Sequence, residues 1–264
     1  MEAILEVRDI TKVFSQPGRP AFTAVDHVSF RLMPGEILGI VGESGSGKST
    51  IAQLITRLLD VTEGEIIIDG EDVTHARGKT LRKVYDKLQM VFQTPTGSFD
   101  PRRTLGDGIG ESLRNRGMAK ADIRSRVAEM LQQCGLPSEF SNRYPHEVSG
   151  GQCQRAAIAR ALIGGPKVLI LDEATSALDV TVQQQIMELL TGLQKNRGLS
   201  YLFICHNLAL VQMLCDRVLI LYDGKIVEQG TPDEVIMTPQ SEYTRRLVEA
   251  VFEWIDCDIT KRLY

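Results

Sequence analysis

Short β-branched and aliphatic runs alternate along the chain with longer stretches whose apolar positions recur every three or four residues. That alternation predicts an α/β architecture with a largely parallel sheet. Strands are expected at Ile37–Val41, Glu65–Asp69, Val168–Leu171, Tyr201–Cys205 and Val218–Tyr222. Between Thr181 and Arg197 the residues Val182, Ile186, Leu189, Leu190 and Leu193 recur at helical spacing, and Gly198 is placed to end that helix. From about Leu105 to Ile163 strand signals vanish and Ala, Leu, Arg, Glu and Gln dominate, so a helical subdomain inserted into the α/β chain is expected. Ile4–Ile10 and Ala24–Leu32 alternate like antiparallel strands, interrupted by the turn-rich segment Ser15–Pro20. No internal repeat or low-complexity tract is present.

Composition narrows this picture. A chain of 264 residues, 43% hydrophobic and 24% charged, can bury a full core without disulfides and is too apolar to be disordered. Thirty basic against 34 acidic side chains, a formal net charge of -4, argue against a nonspecific nucleic-acid or anionic-lipid surface. The N-terminal Met1–Arg8 has no positively charged lead into an apolar stretch, so no secretory signal is expected. No apolar run approaches the roughly 18 residues needed to span a bilayer. The protein is therefore expected in the cytosol and not to cross a membrane by itself. Cys134, Cys153, Cys205, Cys215 and Cys257 are scattered without a C-x-x-C pair, and are expected to be reduced thiols, several of them in the core.

The chemistry concentrates in Gly42-Glu43-Ser44-Gly45-Ser46-Gly47-Lys48-Ser49-Thr50, which fits G-x-x-x-x-G-K-[ST]. It follows the predicted strand Ile37–Val41 and opens a helical pattern through Ile51, Leu54, Ile55 and Leu58, the context such a loop requires. Glycines let successive backbone N–H groups turn inward on a polyphosphate, and the helix N-terminus adds a favourable dipole. Lys48 should bridge the β- and γ-phosphates and Ser49 should ligate Mg²⁺. Val168–Leu171 delivers Asp172 and Glu173 at a strand C-terminus, where open α/β sheets bind ligands. Alone this is a strand meeting solvent. Beside a phosphate loop, Asp172 reads as the magnesium partner through water, and Glu173 is left to orient or deprotonate an attacking water. Gln93 and His206 are unremarkable in isolation and gain meaning only from this constellation.

Val148-Ser149-Gly150-Gly151-Gln152 precedes a second helical run, Cys153 to Ile163. Ser149 is a natural N-cap and the glycines permit close backbone approach, so this helix start is also suited to an anion. A chain that already owns one phosphate loop has a use for such a terminus if it completes the nucleotide site of another copy or a related chain.

Together these residues resemble the ATP-binding subunits of ABC transporters over nearly the whole chain. The resemblance covers the loop Gly42–Thr50, Gln93 as the Q-loop glutamine, Val148–Gln152 as the signature, and Asp172-Glu173. It continues through Ser176-Ala177-Leu178-Asp179 as the D-loop and His206 as the switch histidine. It implies a P-loop NTPase (RecA-like) core with an N-terminal antiparallel β subdomain and an inserted α-helical subdomain. The implied division is a single domain, 1–264: residues 1–93 and 164–230 form the core and β subdomain, 94–163 the helical part, 231–264 a C-terminal helical extension. It also implies a head-to-tail dimer with two ATPs, each between one phosphate loop and the opposite Ser149, Gly150, Gly151 and Gln152, with Asp179 nearby. Phe14 resembles the aromatic that stacks on adenine. Glu173, His206 and Gln93 take catalytic roles; Ser49, Gln93 and Asp172 are implied magnesium contacts. Gln93 also reports nucleotide state to the helical part, whose groove in this family receives a coupling helix from a membrane subunit. Arg155 and Arg160 in the signature helix are expected as solvated charges. Val148 replaces the commoner leucine and Asn207 the commoner aspartate, neither removing a phosphate donor or the histidine.

Gln93–Arg102 and Pro239–Arg245 resemble segments of peptide and nickel importers, and the tail, with Cys257 alone, lacks the cysteine cluster of one of their two ATPases. The expectation is an ATP-hydrolysing importer subunit, peripheral on the cytoplasmic face of the cell membrane. Its implied partners are two transmembrane permeases, a second ATPase and an extracytoplasmic substrate-binding protein, with no nucleic acid. A heterodimer is favoured over a homodimer, and the cargo is peptide, nickel or a metal–chelator complex. The alternative is a soluble ABC ATPase of DNA repair, translation or cluster assembly. A phosphate-loop kinase would leave Ser149–Gln152 and His206 unexplained.

Overall fold

The fold, a computed structural model, describes residues 2–250 except 16, 19, 95 and 177. Expectations attached to Pro95, Ala177, Cys257 and the chain beyond 250 fall outside these residues. Among the described residues, ten strands form two sheets. One is antiparallel, in the order β2 (Phe22–Leu32), β1 (Leu5–Phe14), β4 (Glu63–Ile68), β5 (Glu71–Asp72). The other runs β10 (Lys225–Gly230), β9 (Arg217–Tyr222), β3 (Ile37–Val41), β8 (Ser200–Cys205), β7 (Val168–Asp172), β6 (Leu88–Val91), parallel throughout except for the edge strand β10.

The period-two pleat of the parallel strands divides the core. Ile37, Val41, Leu169, Leu171, Tyr201, Phe203, Val218 and Ile220 pack on one face, while Leu38, Ile40, Val168, Ile170, Leu202, Ile204, Leu219 and Leu221 pack on the other. The second face is shared with the antiparallel sheet, through Val7, Ile10, Val25 and Ile66, and with Ile51, Leu54 and Ile55 of α1 (Lys48–Ile55). On the first face lie α3 (Leu105–Ile109), α4 (Glu111–Asn115), α5 (Lys120–Gln133) and α6 (Gly150–Leu162), all placed between β6 and β7. It also carries α7 (Val180–Arg197) and α8 (Leu208–Leu214). Near-continuous apolar runs are what a sheet buried on both faces demands, and they made these strands visible in the sequence.

Departures from expectation follow from turn chemistry and edges. β4 runs Glu63–Ile68 and stops before Asp69, because Asp69 and Gly70, with φ of 52° and 75°, form the two-residue turn into β5. Asp223 and Gly224 (46° and 76°) turn β9 into β10 in the same way. β10 is absent from the expected strands because its residues alternate between exposed and half-buried at the sheet edge. β6 is only four residues, and α2 (Gly78–Lys87) buries Val84 alone, so both lacked a clear pattern. Helix α7 ends at Gly198, whose φ of 63° places it in the left-handed region favoured at that position. After β10 come α9 (Pro232–Met237), opened by a Thr231–Glu234 capping box, and helical residues 242–250. Among the described residues no helix is long and apolar enough to cross a membrane.

Candidate active site

Four parallel strands end side by side. Val41 pairs with Cys205, Ile204 with Asp172, and Leu171 with Val91, so the segments that follow β3, β8, β7 and β6 emerge in a row along one sheet edge. Gly42, His206, Glu173 and Gln93 belong to those segments. Strand register thus assembles residues that are more than 160 positions apart in the chain.

The loop 42–47 packs closely against its surroundings. A side chain at Gly42 would run into the Leu221 carbonyl, and one at Gly47 into the Ala24 carbonyl of β2. Gly47 also takes φ 104° to start α1, whose N-terminus has no side-chain cap and no acidic residue in its first turn. Its first N–H groups have no intrahelical partners and carry the positive end of the dipole, the geometry of an anion site. Glu43, Ser44 and Gly45 stand exposed at the crest, and Thr50 is half-buried within α1. Lys48 is only 4% exposed, and its Nζ donates to the Gly42 and Glu43 carbonyls, both at 2.7 Å. Burial lowers the pKa of this ammonium, while the nearby Glu173 and Asp172 charges oppose that shift.

Ser49 Oγ donates to Asp172 Oδ1 at 3.0 Å, bringing α1 and β7 together through two oxygens. Burial raises the Asp172 carboxyl; the Ser49 hydrogen bond works against this and Glu173 adds repulsion. Glu173 follows with φ 47°, a left-handed conformation rare for a non-glycine residue, and its N–H is held by the Ile204 carbonyl at 2.9 Å. Gln93 Nε2 donates to Glu173 Oε2 at 2.8 Å, and His206 Nδ1 lies 3.7 Å from Glu173 Oε1. Ser176 Oγ donates to the Glu173 carbonyl at 3.0 Å. Among the described residues, no three or more His, Cys, Asp or Glu form a metal cage. The hard oxygens of Ser49 and Asp172 suit a magnesium ion that keeps waters and takes phosphate oxygens as well.

The remaining expected residues divide between this edge and elsewhere. Among the described residues no hydrogen bond or ion pair joins Ser149–Gln152 to the loop 42–50. Ser149 and Gly150 are exposed, and Ser149 and Gln152 form a capping box at the start of α6. Gly151 is buried where a side chain would meet Val182, so its smallness serves the contact between α6 and α7. Val148 packs partly buried against the core. Asp179 caps α7, accepting from the Val182 N–H at 3.0 Å. Phe14 sits 40% exposed opposite Phe22 at the end of the β1–β2 hairpin where the two strands are connected, with Lys12 Nζ 5.2 Å from its ring centre.

Arg155 and Arg160 are not the solvated charges expected. Arg155 donates to the Cys134 carbonyl and to Gln185, while Arg160 donates to the Ser98 carbonyl with its guanidinium 5.0 Å over Phe99. Alanine-rich α6 packs so closely that long side chains along its flanks lie over neighbouring segments. Cys134, Cys153, Cys205 and Cys215 are buried free thiols, as expected, with burial pushing Cys134 and Cys205 up to about 12. Sequence reasoning assigned no site role to Tyr243, whose hydroxyl receives the Glu43 N–H at 3.0 Å. A contact spanning 200 residues leaves no local signal.

The model of the family described as "ABC transporter" matches residues 25–176. The chain belongs to the ABC transporter family. It is 46% identical over 93% of its length to the oligopeptide transport ATP-binding protein OppF of Salmonella typhimurium, covering 74% of that protein. Against OppF of Bacillus subtilis it is 45% identical over 95% of its length and 83% of that protein's. It is also 45% identical to the glutathione import ATP-binding protein GsiA of Salmonella typhi, spanning 41% of that longer protein. Among solved structures, the dimeric ATP-binding cassette MJ0796 bound to ADP and Pi superposes with TM-score 0.79 at 31% identity, over 86% of this chain and 98% of that one. CbiO1 of Clostridium perfringens, part of the transporter complex cbiONQ, gives 0.80 at 29% identity, over 90% and 92%. The cassette is thus an ATP-binding, ATP-hydrolysing transporter subunit with the expected α/β fold.

The buried carboxyl of Asp172 makes one consequence measurable. Its pKa in the folded cassette lies above its unfolded value of about 3.9, so ionisation costs stability as pH rises past that value and fully once above the folded one. Asp172→Asn, which keeps an oxygen for Ser49, should raise the thermal midpoint of the nucleotide-free cassette at pH 7. The gain should shrink toward acidic pH, and a lowered midpoint at pH 7 would contradict it.

Proposed function

We propose that the cassette is the ATP-hydrolysing subunit of a peptide importer, peripheral on the cytoplasmic face of the membrane, working as one of two ATPases on a pair of transmembrane permeases. The observation carrying the reading is the joining of Ser49 to Asp172 and of Gln93 to Glu173 across adjacent strand ends, beside an uncapped helix N-terminus and a buried lysine. The loop amides and Lys48 hold the polyphosphate; Phe14 offers a ring face to adenine. Ser49, Asp172 and Gln93 would hold magnesium, which would supply neutralisation of phosphate charge there. Glu173 orients and deprotonates the attacking water, and His206 steadies the γ-phosphate side of the site.

Ser149, Gly150, Gly151, Gln152 and Asp179 act on the nucleotide of the opposite ATPase. Ser149, Gly150 and Asp179 stand exposed at the starts of α6 and α7, and among the described residues none of the five hydrogen-bonds to this chain's own loop, which supports that assignment. ATP then favours the closed dimer because only that state brings both sets of donors to it. Residues 94–163 form the part that meets the permeases, 1–93 with 164–230 the nucleotide core, and 231–264 the extension. A substrate-binding protein outside the membrane completes the system. Peptide cargo is favoured by relatives at 45–46% identity named for oligopeptide transport; neither nickel nor a metal chelator appears in the names of those relatives.

Glu173→Gln should lower steady-state ATP hydrolysis by about 10²- to 10⁴-fold while ATP binding persists. Unchanged turnover removes Glu173 from the water-activating role. Tagged copurification from gently solubilised membranes should recover two multi-span proteins and a second ATPase, identified by mass spectrometry. Recovery of soluble factors alone would favour a cytosolic ABC ATPase.

A further inference from the structure

The peptide group between Gly42 and Glu43 is gripped at both ends. Its carbonyl accepts from Lys48 Nζ at 2.7 Å, and its N–H donates to the Tyr243 hydroxyl at 3.0 Å. We propose that Tyr243 is a positioning residue for nucleotide binding: the segment that carries it acts as a strap whose phenol fixes the peptide on which Lys48 is seated. This deepens the ATP reading of the same loop and rests on it.

Several contacts make the strap more than a chance approach. Tyr243 is 7% exposed and its ring lies 4.3 Å from that of Tyr222, tilted by 34°. Glu228 of β10 accepts from the Gln240 and Ser241 N–H groups at 2.8 and 2.9 Å, and Ser241 caps the Thr244 N–H at 3.0 Å with Thr244 fully buried. Tyr222 ends β9, and the turn after it sends the Gly224 N–H to the Ser46 carbonyl at 3.1 Å. The phosphate loop is thus braced at Glu43 by the strap and at Ser46 by the β9–β10 turn.

An ammonium at the carbonyl and a hydroxyl oxygen at the N–H polarise the same peptide in the same sense, so each bond strengthens the other. Without the phenol, the 42–43 peptide keeps its lysine contact but loses the partner that fixes its plane. Lys48 Nζ, which also bonds Glu43 O at 2.7 Å, would then be held less firmly where phosphate must meet it. The cost should fall on nucleotide affinity rather than on the chemical step, because the lysine contacts phosphate before the transition state as well as in it.

Tyr243→Phe keeps the ring against Tyr222 and removes only the acceptor. In the full chain, calorimetric titration with magnesium and the non-hydrolysable ATP analogue AMP-PNP should show a Kd raised about three- to tenfold. KM for ATP should rise similarly and kcat stay within about twofold. Tyr222→Phe, which removes a hydroxyl from the same ring pair without touching the loop, should leave Kd unchanged. Glu228→Gln, which loosens the strap from outside, should raise Kd in the same direction and serves if the Phe variant folds poorly. Wild-type Kd in the Tyr243→Phe cassette, or an equal loss in Tyr222→Phe, overturns the proposal. A wild-type chain that binds no nucleotide overturns the ATP reading itself.

Discussion

A buried ammonium at the carboxyl edge of a parallel sheet is the interaction on which the rest of this cassette depends. Lys48, 4% exposed, is tolerated because backbone carbonyls of Gly42 and Glu43 receive it and the charges of Glu173 and Asp172 face it. Those partners come from two strands, β3 and β7, that must end at the same level. β3 supplies the loop, β7 the two carboxylates, β8 the His206 segment, and a sheet buried on both faces holds their register.

The same arrangement explains why strain collects at Glu173. Its positive φ turns the chain sharply after β7, so Asp172 meets Ser49 while Glu173 meets Gln93 and approaches His206. Two adjacent carboxylates are thereby given different surroundings: Asp172 is buried against α1, whereas Glu173 faces the segments following β6 and β8. Adjacent groups with separate environments can take separate tasks, one toward a cation and one toward water.

Much of this was legible beforehand because buried parallel strands advertise themselves as apolar runs and the phosphate loop is a contiguous motif. Ile37–Val41 matches β3 residue for residue, and Val168–Leu171 misses only Asp172 of β7. Edges were harder: β10 alternates at a half-exposed margin, although Asp223-Gly224 was a readable turn signal, and α2 buries a single valine. The flanks of α6 misled in the other direction, since Arg155 and Arg160 look solvated in one dimension and are engaged in three. Tyr243 joins the loop through tertiary packing alone, and no local pattern could have linked it to Glu43.

On the proposed function, the loop 42–50, seated on Lys48, recognises a polyphosphate rather than a nucleoside. Equilibrium titration of the wild-type chain with ATP, ADP and AMP in magnesium tests it most directly. ATP and ADP should bind, and AMP about a hundredfold or more weaker, since it leaves the charge-assisted loop contacts unmade. AMP binding as tightly as ADP would contradict it.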